Sequence, residues 1–114
     1  MAGKSEGVIV GYDGSAGSDE ALRWAAREAK ARGTMLTVCL AWAPEYPAQL
    51  ADPAVCDLAR KRGEEILAQA VPYAASVLDE VRTLLAEGPP AQVLCERSGT
   101  AEMVVVGCKK TSTA

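Results

Sequence analysis

Residues 7–12 (GVIVGY) form a short apolar run rich in β-branched side chains, closed by Asp13-Gly14. Consecutive apolar positions bounded by a turn signal predict a strand buried on both faces, as in a parallel sheet. Helical spacing follows. Leu22, Ala25, Ala26 and Ala29 fall on one face, while Asp19, Glu20, Arg23, Arg27 and Lys30 take much of the other. Ser15 supplies the N-cap oxygen and Gly33 the C-terminal stop, with acidic residues early and basic ones late, as the helix dipole favours. Residues 34–42 (TMLTVCLAW) predict a second buried strand, and the prolines at 44, 47 and 53 mark residues 43–53 as a loop.

A second helix is predicted over 53–75, with Leu58, Ile66, Leu67 and Ala70 facing inward. Pro72 is expected to kink or end it, because proline removes a backbone donor and clashes with the preceding turn. Val81, Thr83 and Leu85 open a third strand, stopped by Glu87-Gly88-Pro89-Pro90. Proline suits the first turn of a helix, so Pro90 starts a short third helix through Arg97, closed by Gly99. Residues 103–106 predict the fourth strand. The alternation βαβαβαβ, with right-handed crossovers, implies an open parallel sheet with helices on both faces. The reading is of one domain over residues 1–114, with strand order 3-2-1-4.

Composition narrows the function classes. Hydrophobic residues at 49% and charged residues at 24% describe an ordinary globular protein. The net charge of −3 shows no basic stripe, which argues against a nucleic-acid partner. No apolar run approaches a membrane span, and MAGKSEG lacks the apolar core of a signal peptide, so a cytoplasmic location is expected. The chain has no histidine, which excludes Ser-His-Asp and Cys-His catalysis. Cys39, Cys56, Cys95 and Cys108 are widely spaced with no C-x-x-C pair, so neither a metal cluster nor a disulfide framework is expected, and most of them read as small buried hydrophobes.

Ligands of such sheets bind beyond the carboxyl ends of the strands where the strand order reverses, here between the first and fourth strands. Two segments meet there: Asp13-Gly14-Ser15, and Gly107-Cys108-Lys109-Lys110. Asp13 can accept hydrogen bonds from a ribose or an amino group, the helix start at Ser15 suits an anion, and the lysines supply cations. The plainer reading is that Asp13 and Ser15 only cap the helix and the lysines are solvated. Trp24 and Trp42 read as core or boundary aromatics rather than stacking platforms, Ala59-Arg60-Lys61-Arg62 as a solvated face, and Cys108 as an inert thiol rather than a redox one.

The string GVIVGYDGSAGSDEALRWAAREAKARGTMLTV resembles the opening of universal stress protein domains: a strand ending in Asp-Gly-Ser, an alanine-rich helix, then a second strand. GEEILAQAV, VRTLLAEGPPAQVL and AEMVVVG follow in that family's order, so the resemblance covers residues 7–107. It implies a Rossmann-like fold of the adenine nucleotide alpha hydrolase-like kind, usually homodimeric, acting in cytoplasmic stress responses, with one branch binding ATP. Asp13 would then contact adenosine, backbone near Ala41 would border the adenine, and Gly107 would be the first glycine of a Gly-x-x-Gly phosphate loop. Lys110 stands where that loop has its second glycine. Lysine does not reproduce a glycine's backbone freedom, although its ammonium can pair with a phosphate.

The same resemblance implies a fourth helix and a fifth strand that these 114 residues do not reach, so a four-stranded sheet is expected. The leading expectation is a binding or signalling module that takes ATP or another adenine nucleotide and is not an enzyme. A second is an interaction module that binds no nucleotide and dimerises through the apolar edge of the fourth strand. A third is an ATP-hydrolysing relative, since Ser15-Ala16-Gly17-Ser18-Asp19 weakly resembles the Ser-Gly-Gly-x-Asp loop of ATP pyrophosphatases.

Overall fold

The computed structural model describes residues 6–42 and 53–107. These form β1 (Val8–Gly11), α1 (Ala16–Arg32), β2 (Leu36–Trp42), α2 (Pro53–Val77), β3 (Val81–Glu87), α3 (Pro90–Arg97) and β4 (Met103–Val105), in the alternation the sequence predicts. The sheet runs β3-β2-β1-β4. Every pairing is parallel, and Val10 of β1 lies between Val38 of β2 and Val105 of β4. The proline-bearing loop falls largely at residues 43–52, outside the described residues.

The period-two pleat sorts each strand's side chains between two cores. Val8, Val10, Leu36, Val38 and Leu40 join the core that the buried faces of α1 and α2 cover. Ile9 and Cys39 point to the other face, where Val93 of α3 and Ala101 meet them. Helices therefore cover both faces, as expected. On α1 the residues Ala25, Ala26 and Ala29 have no exposed surface, and their small side chains let the helix lie close on the sheet. Ser15 caps α1 by accepting from the Ser18 amide at 3.2 Å. At the other end Gly33 adopts φ 68°, a left-handed conformation that costs an L-residue energy and glycine little.

Several boundaries differ from the sequence reading. Strand β2 begins at Leu36 rather than residue 34, because the Thr34 amide donates to the Ala29 carbonyl and completes the cap of α1. Helix α2 passes through Pro72 and ends at Val77. Pro72 itself is exposed, while Ala70 and Ala74 are buried and Tyr73 and Val77 pack on the core, so tertiary burial on the inner face outweighs the local cost of proline. Leu58, expected inside, is 67% exposed. No buried residue precedes Gly63 in α2, so among the described residues the first turns of the helix contribute nothing to the core. Where α2 crosses β2 and β3, Gly63 permits a close approach: a Cβ there would stand 2.8 Å from Leu85 Cδ1 and 2.9 Å from Leu40 Cδ2.

Strand β4 stops at Val105, and Val106 is 56% exposed as the chain turns toward α1. The reading of most cysteines as buried also fails: Cys39 is buried, Cys56 half-buried and Cys95 exposed on α3, while Cys108 lies outside the described residues. Among the described residues no helix is long and apolar enough to cross a membrane, and no group of cysteines and carboxylates converges as metal ligands would.

Candidate functional site

The strands deliver their carboxyl ends to a cleft of about 930 Å³. Gly11, Tyr12 and Asp13 from the end of β1, Leu40 and Ala41 from β2, and Val105 through Gly107 after β4 border it. Pro90 and Leu94 of α3 form one wall, and the first turns of α1 form another. Glycine makes the floor low. A Cβ on Gly11 would come within 3.1 Å of Leu94 Cδ1, so the leucine lies directly on the strand. On the other side a Cβ on Gly107 would stand 2.5 Å from the Gly17 carbonyl oxygen, so only glycine lets the chain after β4 pass so close to the start of α1.

A local hydrogen-bond network shapes the turn from β1 into α1. Asp13 Oδ1 accepts from the Ser15 amide at 2.9 Å, and the Asp13 amide donates to Ser18 Oγ at 3.3 Å. Ser18, itself buried, donates its hydroxyl to the Ser15 carbonyl at 3.0 Å. Hydrogen bonding from the Ser15 hydroxyl, followed by the Ser15 amide, holds the Asp13 carboxyl below its ordinary value. Asp13 is thus a fixed, exposed carboxylate at the cleft mouth, with acceptor capacity left for a ligand. Beneath it Tyr12 is buried and donates its hydroxyl to Asp19 Oδ1 at 2.8 Å. Burial first, and then the Asp19 carboxylate, push the Tyr12 phenol up to about 12. Tyr12 is a fixed support for the turn rather than a proton donor near neutral pH.

Of the residues singled out in the sequence, Asp13, Ser15, Ala41 and Gly107 border this one cleft. Gly14 adopts φ 84°, and a Cβ there would meet Ile66 Cγ2 of α2 at 3.3 Å, so it shapes the turn from behind rather than lining the cleft. Cys108, Lys109 and Lys110 lie outside the described residues. The plain reading describes the local bonding, since Ser15 caps the helix and Asp13 closes the turn before it, and both residues also border the cleft.

Sequence reasoning passed over Leu94, met Ser18 only as part of a pyrophosphatase-like string, and set Trp24 aside as a core or boundary aromatic. Trp24 is 46% exposed and stands on the cleft border rather than in the core, while Trp42 is half-buried at the end of β2. The signal for Trp24 was present, because Gly17, Ala21 and Trp24 recur at i, i+4 and i+7 and so share one face of α1. Nothing local marked Leu94, whose role depends on a contact with Gly11 far away in sequence. A second depression, of about 510 Å³ and bordered by Gly33, Met35 and Leu78, lies at the amino ends of the strands, away from the end where ligands of such sheets bind.

Chemically the cleft offers a fixed acceptor, apolar walls at Ala41, Leu94 and Val105, and close backbone at two glycines. The amides of Ala16 and Gly17 also belong to a first helical turn, where no intrahelical acceptor exists. That set is chemically suited to a flat, largely apolar ligand carrying hydroxyl or amino donors.

The sequence model of the Universal stress protein family matches residues 5–114. A universal stress protein of Mycolicibacterium smegmatis is 35% identical over 109 residues, which cover 89% of this chain and 37% of that protein. The chain thus spans less than two fifths of that relative's length. A crystal structure of the Mycobacterium tuberculosis protein Rv1636 superposes with a TM-score of 0.68 at 29% identity, covering 95% of this chain and 75% of the other. A universal stress protein crystallised in complex with cAMP superposes with a TM-score of 0.72 at 25% identity, covering 89% and 75%.

Proposed function

The chain belongs to the universal stress protein family, and from that premise we propose that it is a cytoplasmic binding module for an adenine nucleotide in a stress response. The observation that carries this reading is the ionised Asp13 carboxylate at the mouth of a cleft where the ends of β1, β2 and β4 converge. In the proposed complex Asp13 accepts hydrogen bonds from the ribose hydroxyls. The purine lies between Leu94 and the backbone at Ala41, and the phosphate end points toward Gly107 and the first turn of α1. Cys108, Lys109 and Lys110 follow directly in sequence and complete the phosphate end, with the lysines acting as point charges. A family structure in complex with cAMP supports the choice of an adenine nucleotide over other flat ligands. ATP is the polyphosphate candidate, and the role is binding, with no catalytic step assigned to the cleft.

Calorimetric titration with adenosine, AMP and ATP tests the reading. Saturable binding of all three is the expected result, and no heat from any of them would overturn it.

The second reading, an interaction module of the same family, draws on one observation. Strand β4 pairs with β1 on one side, and among the described residues its outer edge carries no strand. Unpaired edges invite pairing, and the proposed partner is a second copy of the chain. Pairing through that edge would leave the cleft open, since the cleft opens above the strand ends and the edge lies beside β4, so the two readings part only on whether a nucleotide binds.

A further inference from the structure

At the end of the sheet opposite the cleft, the Glu6 side chain is only 6% exposed. Its Oε1 accepts from the Thr100 hydroxyl at 2.5 Å and from the Arg97 guanidinium at 3.4 Å. The Glu6 amide donates to the Thr100 carbonyl at 3.4 Å, and the Glu6 carbonyl accepts from the buried Thr37 hydroxyl at 2.9 Å. One residue before β1 thus ties the turn between α3 and β4 to the middle of the sheet. A carboxylate this buried is costly unless paired, and removing a partner leaves the charge stranded. The cluster is therefore a fixed joint rather than a loose surface pair.

The helix that carries Arg97 also carries the cleft wall. Pro90, Leu94 and Arg97 recur at i, i+4 and i+7, so they share one stripe of α3. Pro90 and Leu94 border the cleft, and Leu94 rests on Gly11. Leu94 and Arg97 are separated by only about 4.5 Å along the helix axis, too short a stretch to bend, so a shift at one is a shift at the other. Val93 is the buried residue of this helix and Leu94 packs beside it, so the joint at Arg97 is a polar anchor one turn beyond the apolar ones.

We propose that Glu6, Arg97 and Thr100 form a latch that sets the position of α3 and, through Leu94, the width of the cleft. Glu6 and Arg97 are positioning residues for the ligand, which they do not touch. The effect on binding rests on the adenine-nucleotide reading above, whereas the effect on α3 does not.

The test uses the full chain and three variants, Arg97→Gln, Arg97→Lys and Glu6→Gln. Arg97 has a 41% exposed side chain, so its variants fold even if Glu6→Gln does not. Adenosine affinity is measured by calorimetry, hydrogen exchange is followed at the amides of α1 and α3, and global stability is measured in urea. Arg97→Gln is expected to weaken adenosine about three- to tenfold, part of what one charge-assisted hydrogen bond contributes. It is expected to speed exchange in α3 while α1 stays as in the parent, and Arg97→Lys restores most of the affinity. Unchanged exchange in α3, or a uniform loss of protection across both helices in step with global stability, would overturn the latch. If the parent chain binds no adenosine, the ligand reading falls and the exchange pattern in α3 alone decides the latch, by the same two outcomes.

Discussion

Asp13 is the residue on which the proposed chemistry of the cleft turns, and its charge has a local cause. The Ser15 hydroxyl and then the Ser15 amide stabilise the carboxylate over the acid, so its folded value lies below the ordinary 3.8. A depressed acid stabilises the fold above its unfolded value, and that contribution disappears as pH falls through the folded one. An NMR titration of the Asp13 carboxyl should give a midpoint below 3.8, and Ser15→Ala should move it back toward that value. A midpoint at or above 3.8 in the parent chain would contradict the network. Asp13-Gly14-Ser15 could be read from the sequence because turn and helix cap both fall within three neighbouring residues. Ser18 and Tyr12 could not, since the hydroxyl of one points inward from a helix and that of the other is sealed under the turn by Asp19.

At the scale of elements, α2 carries two departures from local propensity. Proline in a helix interior costs about 3 kcal/mol relative to alanine, and Pro72 is exposed with its neighbours Ala70 and Ala74 buried. Pro72→Ala should therefore raise stability by about 1–3 kcal/mol in urea unfolding, and a loss would show that Pro72 makes contacts beyond its ring. Gly63 departs in the opposite sense. Alanine would gain about 0.5–1 kcal/mol of helix propensity but must displace Leu40 and Leu85 from under the crossing. Overpacking of that kind costs about 1–3 kcal/mol, so Gly63→Ala should be net destabilising by up to about 2 kcal/mol. A gain would mean that the two leucines yield freely.

These departures explain why the strands and the faces of α1 were legible while α2 was misread in part. The strands and α1 follow one period each and end at turn residues that match their geometry. In α2 the inward face begins only at Gly63, a residue without a hydrophobic signature, and proline is tolerated because tertiary burial lies on the other side. Boundary shifts at Thr34 and Val106 have similar causes: a cap bond in one case, and the close pass of Gly107 over Gly17 in the other.

For the whole molecule, the strand order β3-β2-β1-β4 makes the cleft, because it brings the ends of β1 and β4 together across the point of reversal. The alternation of elements, with β1 taken as a central strand, anticipated that place. Leu94 was not legible, since it reaches the cleft through packing that no short window of sequence encodes, whereas the helical spacing of Gly17, Ala21 and Trp24 carried the signal for the other wall. Among the described residues the same order leaves β4 at an edge, and the proposed pairing of two copies there predicts a dimer in sedimentation at micromolar concentration. A monomer across that range would remove the interaction reading and leave the cleft untouched.

The central claim is that the cleft binds the adenosine part of a nucleotide through Asp13. Parallel calorimetric titrations of the parent chain and Asp13→Ala with adenosine test it most directly, with matched unfolding curves as the control for folding. A carboxylate that accepts from a ribose hydroxyl contributes about 1.5–3 kcal/mol, so the substitution should weaken adenosine by roughly ten- to a hundredfold in a folded protein. Equal affinity in the two proteins would contradict the claim.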